Sequence, residues 1–268
     1  ENIFPNTNIR GGVCYFLWEK QYNNKSNLTR VITYENNKVI SDVYRPMKFA
    51  EVDIFIRDSK SIKILEKISR IQKELYNNLW IDQYVSSRKP FGLDSTFTRN
   101  DKFKDNAEFL INPVKCYGGK GVTGYVESDV IKVKEDWIKK WKVFTAFANN
   151  IGTELNDDNF NTIIGEPETV CTETYLAIGA DLNLNENSVI NLSLYLKTKF
   201  SRYLQSLAKA NQNGTRKTYR LIPLQDYSQN SDIDWTVSTS EIDMQLYKKY
   251  QLTEEEISHI ESRIKPMQ

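Results

Sequence analysis

The side chains with the most catalytic potential are few and widely separated in this sequence. His259 is the only histidine among 268 residues, so a Ser-His-Asp triad, a Cys-His pair or a multi-histidine metal site would depend on it alone. The cysteines Cys14, Cys116 and Cys171 are odd in number and far apart, whereas a zinc knuckle needs close pairs and a secreted disulfide framework an even set. We predict buried, reduced thiols in a cytoplasmic protein, and no metal site.

Two short motifs could contact phosphate or a metal ion, and each has a simpler structural interpretation. Gly118-Gly119-Lys120-Gly121 lacks the P-loop spacing, in which Lys and Ser or Thr open a helix. We interpret it as a hairpin turn, with a backbone contact to phosphate as the alternative. Asp58-Ser59-Lys60 matches half of a metal-dependent nuclease motif, but Asp53 is too close in sequence to supply the partner acid from a separate strand. We interpret Asp58 as the N-cap of a helix.

The composition is that of a globular chain. Its residues are 40% hydrophobic, 12% aromatic and 26% charged. No apolar run approaches the ~18 residues that a membrane-spanning helix needs, so we expect no membrane partner. The chain begins at Glu1 rather than at Met, and we expect it to be part of a longer protein.

The strands that would position these residues are predicted from short apolar runs and β-branched stretches. The turn sequence Glu35-Asn36-Asn37 joins two of them into a hairpin, and a polar stretch over 149–169 is predicted as a long loop. The predicted strands cover residues 13–18, 29–34, 38–44, 52–56, 107–111, 114–117, 122–126, 142–148, 170–178 and 215–221.

The helices are predicted from apolar residues spaced three or four apart. They cover residues 59–77, 186–210, 241–250 and 253–263. Asn185 can cap the second helix, and Thr253 with Glu256 forms the capping box of the last one.

The net charge of +1 indicates no particular partner, but the charges are segregated along the chain. Residues 150–186 hold eight acids and no base, residues 187–220 seven bases and no acid, and residues 226–261 nine acids and two lysines. A basic segment between two acidic ones is typical of a polyanion-binding surface. The alternative is that these bases form the solvated face of a core helix.

Two groups of basic residues are candidates for DNA contact. The first group lies on and after the second predicted helix and suits phosphate groups. Its members are Lys197, Lys199, Arg202, Arg216 and Lys217. The second group lies in loops among phenylalanines and suits the edges of bases. Its members are Arg88, Lys89, Arg99 and Lys102.

Five stretches spread over the chain carry a family resemblance. They are Phe4 to Trp18, Lys89 to Leu93, Asn191 to Leu204, Thr215 to Asp226 and the tail from Leu246 to Met267. The first resembles the late-core strand region of adenine-N6 DNA methyltransferases from restriction–modification systems. The similarity is closest to the gamma-class, type IIG-like proteins, in which methylase, nuclease and specificity parts can be fused in one chain.

This resemblance implies an α/β fold of mixed α+β type in three parts. Residues 1–57 would be the last strands of a Rossmann-like methyltransferase core, residues 58–225 a target-recognition domain with an α/β fold, and residues 226–268 a short helical tail. The catalytic Asn/Asp-Pro-Pro-Tyr/Phe motif and the cofactor-binding glycine motif of the family are absent from these 268 residues. The chain alone is therefore expected not to methylate DNA. The parent enzyme would bind S-adenosylmethionine in a missing N-terminal core.

The resemblance also implies a role for Phe4, which matches an aromatic residue that stacks on the adenine flipped out of the duplex. The alternative is that Phe4 only packs at the start of a strand. No other catalytic residue is expected in the chain. The implied partners are double-stranded DNA and the missing core, in the bacterial cytoplasm.

The predicted function is therefore DNA sequence recognition for an adenine-N6 methyltransferase. A hypothesis of a different class is a helical interaction module, in which the two long helices and the acidic tail dock onto a methyltransferase or restriction subunit without binding DNA. The apolar stripe of the 186–210 helix supports this hypothesis equally well. An independent hydrolase is disfavoured by the single histidine and the missing acid pair. Salt dependence separates the first two hypotheses, because phosphate binding weakens steeply with salt and apolar docking does not.

Overall fold

The computed structural model describes residues 16–18, 28–35, 38–49, 54–151, 160–265 and 267. In this part of the chain, small sheets and five α-helices form a mixed α+β structure, as predicted. The strands are β1 (Thr29–Glu35), β2 (Lys38–Arg45), β3 (Pro113–Tyr117), β4 (Thr123–Glu127), β5 (Lys142–Ala146), β6 (Thr162–Gly165), β7 (Thr169–Cys171) and β8 (Tyr175–Ile178). The helices are α1 (Lys60–Leu75), α2 (Glu186–Lys197), α3 (Lys199–Ala208), α4 (Thr239–Lys249) and α5 (Glu254–Arg263).

The first sheet is the predicted hairpin of β1 and β2, which pair antiparallel with Val31 opposite Val43 and Thr33 opposite Ser41. Two neighbouring strand predictions were wrong for the residues described. Residues 16–18 belong to no strand and their side chains are largely exposed, so the predicted buried strand over 13–18 does not extend through them. Residues 54–56, the end of the strand predicted over 52–56, are irregular.

The second and third sheets have three strands each, in the orders β4-β3-β7 and β6-β5-β8. The β3–β4 hairpin and its Gly118–Gly121 turn are as predicted. The strand predicted over 107–111 is absent, and the predicted 149–169 loop contains β6 and the start of β7. The predicted 170–178 strand is divided at 172–174, so that β7 pairs parallel to β3 while β8 pairs with β5.

The β6-β5-β8 sheet lies between two hydrophobic cores because its strands are apolar on both faces. Val143, Leu176 and Ile178 pack into the core that the helices share. Phe144 and Ala177, which point to the opposite face, pack into the core shared with the β4-β3-β7 sheet. The molecule is therefore layered as sheet, sheet and helices in this region.

Helix α1 follows the predicted apolar stripe, with Ile64, Leu65 and Ile68 buried. Its N-cap residue is Ser59 rather than Asp58, but a carboxylate oxygen of Asp58 accepts a hydrogen bond from the Lys60 N–H at 3.0 Å. The helix ends at Leu75, and residues 77 and 78 take the left-handed backbone conformation that terminates helices.

The predicted 186–210 helix is two helices that meet at Thr198. The Asn185 cap is as predicted, since its side chain accepts from the Ser188 N–H at 2.9 Å. Thr198 has an extended backbone, and its hydroxyl accepts from the Ser201 N–H at 3.1 Å to cap α3. The carboxylate of Asp243 in α4 accepts from the Phe200 N–H at 2.8 Å, which holds the new helix start against α4. The start of α3 is therefore capped both by the local Thr198 and by a residue remote in sequence.

The C-terminal helices α4 and α5 belong to the same core as α1, α2 and α3. Ile242, Leu246, Tyr250 and Ile260 are buried in it. Tyr219 and Leu221, which precede these helices in the chain, belong to the same core. The capping box of Thr253 with Glu256 is as predicted.

The segment predicted as a strand over 215–221 is a 3₁₀ turn, Arg216–Tyr219, followed by irregular chain. Thr215 and Thr218 exchange the hydrogen bonds of a capping box there, which satisfies backbone groups that a strand would pair with a neighbour. Among the residues described, no helix has both the length and the apolar character needed to cross a membrane.

Candidate nucleic-acid interface

Arg88 is positioned by the segment that runs beside β8. Val85 pairs with Ile178, and the Ser86 N–H donates to the Ala177 carbonyl at 2.9 Å. The chain then reaches the end of the sheet, where the guanidinium carbon of Arg88 lies 5.1 Å from the ring centroid of Phe147. An arginine held over an aromatic ring in this way keeps a defined direction while its charge stays in solvent.

Arg88 and Lys89 share one carboxylate. The Arg88 Nε is 3.1 Å from Oε2 of Glu173, and the Lys89 Nζ is 4.0 Å from the same oxygen. Lys89 has a left-handed backbone and also forms an ion pair with Asp94, whose hydrogen bond raises the pKa of the lysine. The two side chains remain 60% and 45% exposed, so both charges are accessible to a ligand.

Arg216 and Lys217 are brought to the same end of the sheet by the 3₁₀ turn at Arg216–Tyr219. The Gly214 N–H, just before this turn, donates to the carbonyl of Phe147, whose ring carries Arg88. The Arg216 Nε donates to the Asp82 carbonyl at 2.8 Å, a few residues before Arg88. Two basic segments that are remote in sequence are therefore neighbours on the surface.

The Gly118–Gly121 turn adds a lysine that the sequence analysis did not select. A Cβ at Gly118 would overlap the methyl group of Thr98, and a Cβ at Gly119 would lie 3.0 Å from that of Thr174. The turn therefore packs closely between the loop that carries Arg99 and Thr174, whose carbonyl accepts a hydrogen bond from the Phe147 N–H. Lys120 at its tip is exposed, and a lysine flanked by glycines was the only signal for it in the sequence.

We name this composite region the basic surface. Its members are Arg88, Lys89, Arg99, Lys120, Arg216 and Lys217. Arg99, Lys120 and Lys217 are exposed, and their side chains have no hydrogen-bond or ion-pair partner in the part of the chain that the structure describes. Lys102 is exposed in the turn that follows Arg99, where its backbone N–H donates to the Asn100 side chain. Among the residues described, Asp82, Asp94 and Glu173 are acids that interact with this surface.

The other predicted DNA-binding residues lie elsewhere, where α2 and α3 meet the C-terminal helices. Lys199 forms an ion pair with Glu261 of α5. Lys197 is half-buried, and burial lowers its pKa. Arg202 is 3% exposed and donates hydrogen bonds to the carbonyls of Lys197 and Lys265 at 3.0 and 2.9 Å. Arg202 is thus inaccessible to a phosphate in this structure.

The remaining chemically interesting residues do not extend the interface. Burial raises the pKa of the Cys116 thiol to about 12 and also raises that of the Cys171 thiol. Both thiols are free and buried, as predicted. His259 is paired with Asp58 at 2.6 Å, on the helical side of the molecule. Within the described ranges, no group of three or more potential ligands is placed to hold a metal ion. Cys14 and Phe4 lie outside the described residues.

The geometry of the basic surface suits a polyanion. Lysines on turns supply point charges for phosphate oxygens, and arginines supply planar forks that match two acceptors at once. Arg99 is exposed at the end of a short 3₁₀ turn, where its fork can reach the edge of a base.

Neither the scan against protein-family models nor the search of curated proteins found a match to this chain.

Proposed function

We propose that this chain recognises DNA sequence as part of an adenine-N6 DNA methyltransferase of a bacterial restriction–modification system. It would hold duplex DNA so that a target adenine flips into a catalytic core contributed by other residues of the parent protein. The observation that carries the proposal is the basic surface, in which three segments remote in sequence meet around Phe147 and Thr174. Convergence of such segments is expected of a binding surface and not of scattered solvated charges.

The proposed mechanism divides the work between two kinds of contact. Lys120 and Lys217, with Arg216 beside them, would bind phosphate oxygens and set the register of the duplex. Arg99 would read a base edge, because its fork matches the two acceptors of guanine in the major groove. Arg88 would contact the duplex with its orientation already determined by Phe147 and Glu173.

The described residues do not fit S-adenosylmethionine, so we derive no methyl-transfer step from them. The glycine-rich turn at 118–121 closes a β-hairpin and packs on Thr98 and Thr174, whereas a dinucleotide-type site joins a strand to a helix. In the proposed function the cofactor binds the Rossmann-like core that residues 1–57 would complete, and Phe4 would stack on the flipped adenine.

The test compares two double variants that each remove two exposed lysines. Lys120→Gln with Lys217→Gln alters the basic surface, and Lys63→Gln with Lys73→Gln alters the outer face of α1. None of these four side chains has a hydrogen-bond or ion-pair partner in the described part of the chain, so both doubles should fold equally well. Each protein is equilibrated with a randomised duplex pool at low and moderate salt, and the retained DNA is sequenced.

The wild type and the α1 double are expected to enrich one short motif that contains adenine. The basic-surface double should bind roughly tenfold or more weakly, with a salt slope lower by about 2, because two phosphate contacts are lost. Equal binding by both doubles would contradict the proposal.

A second candidate function, docking onto a protein subunit, is favoured by a different surface. The apolar stripe of α2 and α3, which suggested docking, is buried in the chain's own core. The outer face of the β1–β2 hairpin, however, exposes apolar residues, namely Ile32, Tyr34, Val39 and Tyr44. If this surface carries the function, the chain will bind its parent core at high salt as tightly as at low salt.

A further inference from the structure

The loop over residues 107–112, which we name the apolar loop, holds two large apolar side chains in solvent. Phe109 and Ile111 are each 87% exposed, whereas Leu110 between them is half-buried. Single exposed apolar residues are common on protein surfaces and need no explanation. Two of this size next to each other on one loop are typical of a contact surface, because water is displaced from both when a partner binds.

Hydrogen bonds to β4 hold the backbone of the apolar loop in place. The carboxylate of Glu127, the last residue of β4, accepts from the N–H groups of Ile111 and Asn112 at 2.8 and 3.0 Å. The Ser128 N–H donates to the Asn112 carbonyl at 3.0 Å. The two exposed side chains are therefore attached to an ordered backbone, and little further conformational entropy is lost when they enter a partner.

Two lysines lie near the apolar loop on one face of the β3–β4 hairpin. Lys104 and Lys115 lie opposite Tyr125 on its two sides, so the three side chains form one row across the strands. Lys104 is exposed, and the Lys115 Nζ lies 5.2 Å from the ring centroid of Tyr117. Neither ammonium has a hydrogen-bond or ion-pair partner among the residues described. This lysine row can therefore bind phosphate groups beside the apolar loop.

The segment that contains the apolar loop also connects it to the basic surface. The chain that follows Arg99 runs along the edge of β4, where Lys104 and Tyr125 exchange two backbone hydrogen bonds, and then enters the loop. The loop and the Lys120 turn lie at opposite ends of β3, about 20 Å apart at ~3.3 Å per residue. One helical turn of duplex DNA is ~34 Å long, so a single duplex can span both.

We propose that Phe109 and Ile111 insert into the base stack of the duplex that the basic surface binds and kink the DNA there. The acids Asp105 and Glu108 are exposed in the same segment and disfavour phosphate at the loop, so phosphates are expected at the lysine row and bases at the apolar side chains. Unstacking a base step costs least at flexible pyrimidine–purine steps, so insertion contributes to sequence recognition through DNA deformation. This inference rests on the proposed DNA-recognition function and adds a deformation step to it.

The test compares two double variants that each remove two exposed apolar side chains. Phe109→Ala with Ile111→Ala alters the apolar loop, and Leu75→Ala with Met244→Ala alters helices α1 and α4. All four side chains are more than half exposed, so both doubles should fold like the wild type. Each protein is titrated into the duplex that the wild type retains from the randomised pool. The fluorescent base 2-aminopurine, which brightens when it unstacks, replaces one base of that duplex at a time.

The wild type and the helix double should raise the fluorescence severalfold at one step of the duplex. The loop double should abolish this rise and bind roughly tenfold more weakly, because apolar contacts are lost. Its salt slope should stay unchanged, since no phosphate contact is removed.

Two kinds of failure are distinguishable. A rise that persists in the loop double, or one that is missing from a wild type that still binds the duplex, would overturn this inference and leave the proposed function intact. A wild type that binds no duplex would overturn both. If the wild type self-associates in sedimentation and the loop double does not, the apolar loop contacts a second copy of the chain and the inference is wrong.

Discussion

The Oδ2 atom of Asp58 lies 2.6 Å from the Nε2 atom of His259, 201 residues away. The contact joins the start of α1 to α5 and uses the residues that had suggested a nuclease motif and a catalytic histidine. Burial alone would raise the pKa of Asp58, but hydrogen bonds from His259 and from the Lys60 N–H outweigh it and lower the pKa to about 2. The pair is therefore a tertiary link that stabilises the fold.

Replacing this carboxylate should produce a pH-dependent loss of stability. The pKa of Asp58 is lower in the folded chain than in the unfolded chain, so its stabilisation is complete above about pH 4 and is lost as the pH falls towards 2. Asp58→Asn should lower the free energy of unfolding by about 2 kcal/mol at pH 6 and by roughly half of that at pH 3. Urea unfolding at both pH values measures this. Asp129→Asn, at an exposed position, is the control, and an equal loss at both pH values would refute the linkage.

Arg99→Lys should separate base reading from phosphate binding. The variant retains the charge but loses the planar fork, so overall DNA affinity should change little. Discrimination at one base pair of the enriched motif should fall by about 1–3 kcal/mol. Competition with duplexes that carry single base changes measures this discrimination. Lys120→Gln is the counterpart and should weaken binding to all these duplexes equally. If Arg99→Lys keeps full discrimination, base reading belongs to another residue.

Thr198→Val should destabilise the junction between α2 and α3. Thr198 is fully buried, and its hydroxyl accepts from the Ser201 N–H at 3.1 Å and donates to the Tyr195 carbonyl at 2.7 Å. Valine preserves the shape and removes both hydrogen bonds, so the free energy of unfolding should fall by about 1–2 kcal/mol in urea. Thr198→Ser retains the hydroxyl and should lose less. A serine variant no more stable than the valine variant would show that packing, and not the cap, stabilises the junction.

Gly124→Ala should displace the loop that carries Arg99. A Cβ at Gly124 would lie 2.5 Å from the Lys104 carbonyl oxygen and closer still to the Phe103 ring. The two hydrogen bonds between Lys104 and Tyr125 should weaken, at a cost of about 1–3 kcal/mol. Faster amide exchange at both residues measures this. Thr123→Ala, exposed on the same strand, should leave their protection unchanged. Unchanged protection in Gly124→Ala would mean that the loop does not depend on this contact.

Local patterns in the sequence determined several elements of this protein. The apolar spacing over 59–77 predicts α1, because a helix with one apolar face has a single way to bury it. Asn185 and Thr253 mark helix starts, because their side chains satisfy backbone N–H groups a few residues away. The β1–β2 and β3–β4 hairpins follow from short runs of β-branched residues joined by turn sequences.

Only the tertiary structure decided which basic residues face solvent together. No glycine or proline marks the break at Thr198, which the remote carboxylate of Asp243 stabilises. Arg202 is buried and donates a hydrogen bond to the carbonyl of Lys265, near the C-terminal end. Arg88 lies near the Arg216 turn because Phe147 contacts both segments. The physical reason is that a charge pattern along the chain shows only where basic residues occur in the sequence. The solvent accessibility of each side chain depends on contacts between residues that are far apart in sequence.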